Sequence, residues 1–233
     1  MLHIVYGGSA SGKSSYAEGL AVSMREGGRL LYIATMYPYK WGKAEIDPET
    51  MQRINRHRAM RAKKGFETVE CYRDLEGLDV EPGDVLLVEC MSNLLANEMY
   101  LPRDGVTEAD KSMTDSDREI DAKQRTALEG GQAGMLDSEI TGGSVGVAQP
   151  QISDVSKKIV QEILGLAGRV KDVVLVTNDV FSDGGSLTYD DSTRDYVKNL
   201  ADINCTLAKQ AATVTEVVCG IPVIVKKNHP MGK

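Results

Sequence analysis

No apolar run in this chain of 233 residues approaches the ~20 that a membrane-spanning helix requires, so no membrane span is expected. Nor is there an excess of basic charge. The 27 lysines and arginines face 34 acidic residues, and the net charge of −7 argues against a nucleic acid or an anionic membrane surface as partner. Gly7 and Gly8 interrupt the start and no cleavage-like pattern follows, so no signal peptide is expected. The four cysteines, Cys71, Cys90, Cys205 and Cys219, include no CxxC pair. Three of them lie in or beside apolar, strand-like segments, which predicts buried, reduced thiols in a cytoplasmic protein and speaks against a metal site or a disulfide framework.

Aromatic residues are missing altogether from Leu101 to Ser153, a stretch with seven glycines and ten acidic against five basic residues. Its balance of −5 is most of the chain's charge. Such a segment cannot bury enough apolar surface to offset its ordering entropy. It reads as a long, acidic, Gly-rich and largely disordered insertion between two helices, with 116–129 as a helical part. On this reading, residues 1–233 form a single domain and 101–153 interrupts it.

Outside that stretch, short apolar runs alternate with helical patterns, the signature of a mostly parallel sheet flanked by helices. "LHIVY" (2–6), "RLLYIAT" (29–35), "FETVEC" (66–71), "DVLLVEC" (84–90), "DVVLVTND" (172–179) and "EVVCGIPVIVKK" (216–227) read as strands. Asp47 and Pro48 have the chemistry of a helix N-cap and first helical position. Ile159, Ile163 and Leu166 mark one stripe of a later helix, and another helix is expected across roughly 191–212.

Gly7, Gly8, Ser9, Ala10, Ser11, Gly12, Lys13 and Ser14 match G-x-x-x-x-G-K-[ST] between a predicted strand and a predicted helix, the context the motif demands. Glycines let the backbone curl so that successive N–H groups face an anion, and the helix N-terminus adds its positive end. Lys13 would reach the outer phosphates of a nucleotide, and the Ser14 hydroxyl would ligand Mg²⁺. A metal-side acid should end another strand. Glu89 fits, with Asp179 as the competitor.

"RINRHRAMRAKK" places Arg53, Arg56, Arg58, Arg61, Lys63 and Lys64 around His57. Two readings stay open: a solvated basic helix face, or a cationic surface that meets a second set of phosphates. In the second, an imidazole such as that of His57 can form a covalent phosphoramidate. His3, inside the first strand, reads as structural.

Taken in order, "GGSASGKSSYAE", "LYIAT", "RINRHRAMR", "FETVE", "VLLVECMSNLLAN", "VVLVTNDV" and "VVCGIPVIVK" resemble the bifunctional adenosylcobinamide kinase / adenosylcobinamide-phosphate guanylyltransferase family of cobalamin biosynthesis. The resemblance spans roughly 1–100 and 154–227. It implies a RecA-like P-loop fold and two linked reactions. ATP or GTP first phosphorylates adenosylcobinamide. GTP then guanylylates a histidine, and GMP passes to adenosylcobinamide phosphate. By resemblance, that histidine is His57. Ala34 and Thr35, Arg58, Ala59, Met60 and Arg61, and Glu70 and Glu89 would contact the nucleotide, with Mg²⁺ on Ser14 and Glu89. The resemblance also implies a homo-oligomer, a trimer. Departures are local: Ala62 follows Arg61 where the family usually has proline, and Val197 and Lys198 stand where an Arg-Asp pair is usual. Two other classes remain in view: a P-loop kinase of another small alcohol, and a regulatory ATPase whose acidic insertion contacts a protein.

Overall fold

Strands covered on both faces read as unbroken apolar runs, and four segments of this chain build a sheet interior that way. The computed structural model describes residues 1–39, 46–61, 63–101, 152–180 and 189–227. The insertion read at 101–153 lies outside these except for its ends. The strands are β1 (Leu2–Gly7), β2 (Leu30–Ala34), β3 (Glu67–Glu70), β4 (Val85–Glu89), β5 (Asp172–Asn178), β6 (Thr213–Val218) and β7 (Ile221–Lys227). The helices are α1 (Lys13–Met24), α2 (Pro48–Arg61), α3 (Met91–Tyr100), α4 (Asp154–Arg169) and α5 (Asp191–Gln210).

The seven strands form one sheet in the order β3-β2-β4-β5-β1-β6-β7. All neighbours run parallel except β6 and β7. This is the mostly parallel, helix-flanked architecture that the apolar runs predict. One strand, β5, separates the glycine-rich turn after β1 from the acid that ends β4. Both features therefore lie at the carboxyl edge of the sheet, where open parallel sheets hold their ligands.

Alternation divides the core in two. Leu2, Ile4, Leu31, Ile33, Leu86, Val88, Val173 and Leu175 face α3, α4 and α5, and the stripe of Ile159, Ile163 and Leu166 packs among them. On the other face Val5, Leu30, Tyr32, Val85, Leu87, Val174 and Val176 meet Ala17 and Ala21 of α1. His3 is structural, as expected: its ring nitrogens lie 2.9 Å from Thr213 Oγ1 and 3.1 Å from Asp172 Oδ1, tying β1 to its neighbours. Side-chain caps start three helices. Asp47 Oδ2 accepts from the Thr50 N–H at 3.3 Å, Ser153 Oγ from Ser156 at 3.1 Å and Asp190 Oδ1 from Thr193 at 2.7 Å. Neither core cluster contains a residue of α2.

Two expectations are corrected at the end of the chain. The run 216–227 is not one strand but an antiparallel hairpin, because Cys219 (φ 49°) and Gly220 (φ 80°) form a two-residue turn with both residues left-handed. Cys219 is therefore exposed at the turn rather than buried in a strand, and Cys205 on α5 is exposed as well. All four cysteines are free thiols.

Candidate active site

The glycine-rich turn is shaped by contacts that only glycine permits. A Cβ on Gly7 would sit 2.6 Å from the Val217 carbonyl oxygen, and Gly12 has φ 90° with Gly220 Cα close behind it. The Gly220 N–H donates to the Ser11 carbonyl at 2.8 Å, so the β6–β7 turn buttresses the loop from outside. Ser9 and Ala10 are exposed at the loop's tip, and Ala10 has φ 53°. Lys13, the first residue of α1, is buried and donates from Nζ to the Gly8 carbonyl at 3.0 Å. Burial pulls its pKa below the ordinary lysine value, against the opposing influence of Cys90 and Glu89.

Glu89 ends β4 opposite this loop. Its Oε1 accepts from Ser14 Oγ at 2.5 Å and its Oε2 from the Tyr32 hydroxyl at 2.7 Å. Of the two acids left open by the sequence, Glu89 is thus the one joined to the loop serine. Asp179 instead accepts from the Tyr6 phenol, and burial foremost, with that bond, raises the Tyr6 pKa. A hydroxyl and a carboxylate held against each other are the hard oxygen donors that suit Mg²⁺.

A cavity of about 680 Å³ opens over this edge and is lined from two sides. Ser9, Ala10, Lys13, Ser14, Ala34 and Glu89 come from the sheet edge and its loop. His57, Arg58, Arg61 and Glu70 come from α2 and β3. The helical spacing of Arg53, His57 and Arg61, four residues apart, puts them on one stripe of α2. Arg61 is 4% exposed, and its Nε and Nη1, like His57 Nδ1 and Ser11 Oγ, are buried without a hydrogen-bond partner. The unpartnered Arg61 donors, which line the cavity, suit an anionic ligand. Arg58 forms an ion pair with Glu70, which also accepts from Tyr72 at 2.9 Å.

Other predicted residues stand elsewhere. The Thr35 hydroxyl is occupied within the sheet, donating to the Cys90 carbonyl at 3.0 Å and accepting from its N–H at 2.8 Å. Ala59 is exposed on α2. The Met60 side chain lies outside the described residues. Sequence reasoning missed Tyr32, Asn93 and Asn178, which line the cavity along with Tyr196. Asn178 Nδ2 donates to Ser92 Oγ at 2.8 Å, and the Tyr196 hydroxyl to the Ser92 carbonyl at 3.1 Å. The available signal was polarity in apolar surroundings: a tyrosine inside a buried strand needs an acceptor for its hydroxyl.

Residues 3–225 match the model of a protein family described as cobinamide kinase / cobinamide phosphate guanyltransferase. The chain is 34% identical over 103 residues to the bifunctional adenosylcobalamin biosynthesis protein CobU of Salmonella typhimurium, and equally so to the protein of that name from Escherichia coli. Each match takes in 43% of this chain and 51% of the relative, so the matched part spans about half the length of those curated relatives. Among solved structures, the flagellar accessory protein FlaH of Methanocaldococcus jannaschii aligns over 97% of this chain and 78% of its own, with a TM-score of 0.39 and 11% identity. That likeness is too distant to carry an argument.

Proposed function

The chain belongs to the cobinamide kinase / cobinamide phosphate guanyltransferase family, and on that premise we propose that it carries out two successive transfers on adenosylcobinamide. In the first, the aminopropanol hydroxyl attacks the γ-phosphorus of ATP or GTP. A P–O bond forms, the bond to the β-phosphate oxygen breaks, the nucleoside diphosphate leaves, and the alcohol's proton passes to water. In the second, a ring nitrogen of His57 attacks the α-phosphorus of GTP and pyrophosphate leaves. A phosphate oxygen of adenosylcobinamide phosphate then displaces the histidine, giving adenosylcobinamide-GDP.

The observation that carries this reading is that His57 lines the same cavity as Lys13 and Ser14. Lys13 and the loop amides stabilise charge on the transferred phosphoryl group. Arg58, Arg61 and Glu70, which line the cavity, contact the guanine nucleotide together with Ala34, as the family resemblance implies. Ser14 and Glu89 would hold Mg²⁺, which when bound neutralises charge on the phosphates. The single sheet that carries every described strand supports reading the chain as one nucleotide-binding unit.

No helix among the described residues is long and apolar enough to cross a membrane. We place the protein in the cytoplasm, where its four free thiols suit a reducing compartment. We also take it to be a homo-oligomer, a trimer as the resemblance implies. The apolar side chains of Ile221, Val223, Ile224 and Val225, exposed on the outermost strand, support an assembly of copies.

The test is to incubate the protein with adenosylcobinamide, Mg²⁺ and either ATP alone or GTP, and to follow the corrinoid by mass spectrometry. ATP should yield the phosphate and GTP should carry it on to the GDP conjugate. A corrinoid unchanged by either nucleotide would overturn the assignment.

A further inference from the structure

Tyr32 stands in the middle of β2, 4% exposed, with its ring in the core and its hydroxyl at the cavity. Strand pairing sets this arrangement. Tyr32 lies opposite Leu87 and Ala34 opposite Glu89, so Tyr32, Leu87 and Glu89 share a sheet face. A side chain of tyrosine's length then reaches the carboxylate two residues on. Its hydroxyl takes Oε2 of Glu89 at 2.7 Å while Ser14 takes Oε1 at 2.5 Å. Each carboxylate oxygen therefore has its own donor, and the plane of the group is held from two directions.

The ring has a second occupation. The Arg61 guanidinium carbon lies 3.3 Å from its centroid, and Phe66 meets it edge-on at 6.1 Å. Arg61 comes from α2, is buried, and has no hydrogen bond at Nε or Nη1. The aromatic face is thus the shelf on which a desolvated guanidinium rests while its N–H groups stay available to the cavity.

We propose that Tyr32 is a positioning residue of the phosphate site, its hydroxyl orienting Glu89 against Ser14 and its ring seating Arg61 toward the same cavity. This rests on reading the cavity as a nucleoside triphosphate site. One side chain then sets both the acid on the loop side and a cation on the histidine side.

Two substitutions separate hydroxyl from ring. Affinity is read on the full chain by titration with a fluorescent GTP analogue, in Mg²⁺ and in EDTA, with thermal unfolding measured for each variant. Tyr32→Phe keeps the shelf and removes the donor. It is expected to reduce the affinity gained from Mg²⁺ by about tenfold or more, the effect of losing one hydrogen bond to a charged group, with a much smaller change in EDTA. Tyr32→Leu removes both. Its affinity in EDTA should fall about as far as that of Arg61→Met, and the double variant should fall no further. A Phe variant with the parent's full Mg²⁺ gain would overturn the proposal, as would Leu and Met losses that simply add. Should Tyr32→Leu not fold, the Phe variant decides alone. Lys13→Ala in the same titration keeps the two readings apart. A parent that binds no nucleotide, or binds it without need of Lys13, overturns the reading of the cavity and the positioning role together. A parent dependent on Lys13 beside an indifferent Phe variant overturns the positioning role alone.

Discussion

Lys13 and Asp84 are both buried charged residues, and they do opposite work. Lys13 is at the mouth of α1, where its charge would stabilise a transferred phosphoryl group rather than the fold. Lys13→Ala should therefore lower the kinase and guanylyl-transfer rates by about 100-fold or more, roughly 3 kcal/mol of transition-state stabilisation. Its melting temperature should stay close to the parent's, and rate assays beside thermal unfolding check both. Asp84 is 1% exposed and holds the fold. It accepts from the Arg29 guanidinium at 2.8 Å, from the Arg29 N–H at 3.1 Å and from the Glu81 N–H at 2.8 Å. Burial pushes its pKa up most strongly, but the bonds from Arg29 and Glu81 outweigh it and leave the group below the usual aspartate value. A carboxylate depressed in the folded state contributes its full stability above the unfolded pKa, about 4, and loses it as pH falls through the folded value. Asp84→Asn should thus cost about 2–4 kcal/mol at pH 7 and flatten the loss of stability below pH 4, read from urea unfolding across pH. The residues that line the cavity were legible where a spacing announces them: Lys13 and Ser14 through the loop motif, His57 through its basic surroundings and the family resemblance. Tyr32 was not, because a tyrosine in "LLYIA" has the same alternation as any core residue, and its hydroxyl's partner lies 57 residues away in sequence.

Among the elements, α2 differs in kind from the other helices. α4 carries Ile159, Ile163 and Leu166 into the core, whereas α2 contributes nothing to either core cluster. Polar and stacking contacts hold it instead: the Asp47 cap, the Arg58–Glu70 pair and Arg61 on Tyr32. Helices with little buried apolar contact open at low free energy. Amides of α2 should exchange with deuterium at least about tenfold faster than those of α4 in the free protein, and a bound nucleotide should slow α2 most. Exchange of α2 as slow as that of α4 would contradict this. The sheet strands and helices were readable in the sequence because apolar runs, caps and stripes are local. The β6–β7 hairpin was not, because its turn is only Cys-Gly inside a continuous apolar run. Nothing in "VVCGIPVIV" shows that the chain reverses there until the positive φ values at Cys219 and Gly220 are seen.

At the scale of the whole molecule, the outer edge of the sheet and the edge that carries the cavity are connected. β7 leaves Ile221, Ile224 and Val225 more than 60% exposed, while the turn before it buttresses the glycine-rich loop through the Gly220–Ser11 bond. If copies assemble along this strand, Ile221→Lys with Val225→Lys should lower the solution mass measured by light scattering to that of a single chain, leaving the fold intact by circular dichroism. An unchanged mass would place the interface elsewhere. The central claim, however, is that one cavity serves two transfers, one of which passes through His57. It is tested most directly by intact-mass measurement of the parent and of His57→Ala after mixing with GTP and Mg²⁺, paired with a kinase assay on adenosylcobinamide. Guanylyl transfer through the enzyme needs a nitrogen nucleophile, whereas γ-phosphoryl transfer to a bound alcohol needs only positioning and charge. The parent should gain one GMP, labile to acid and stable to base as a phosphoramidate is. His57→Ala should gain none and still phosphorylate the corrinoid. A GMP adduct of equal yield on His57→Ala would contradict the account.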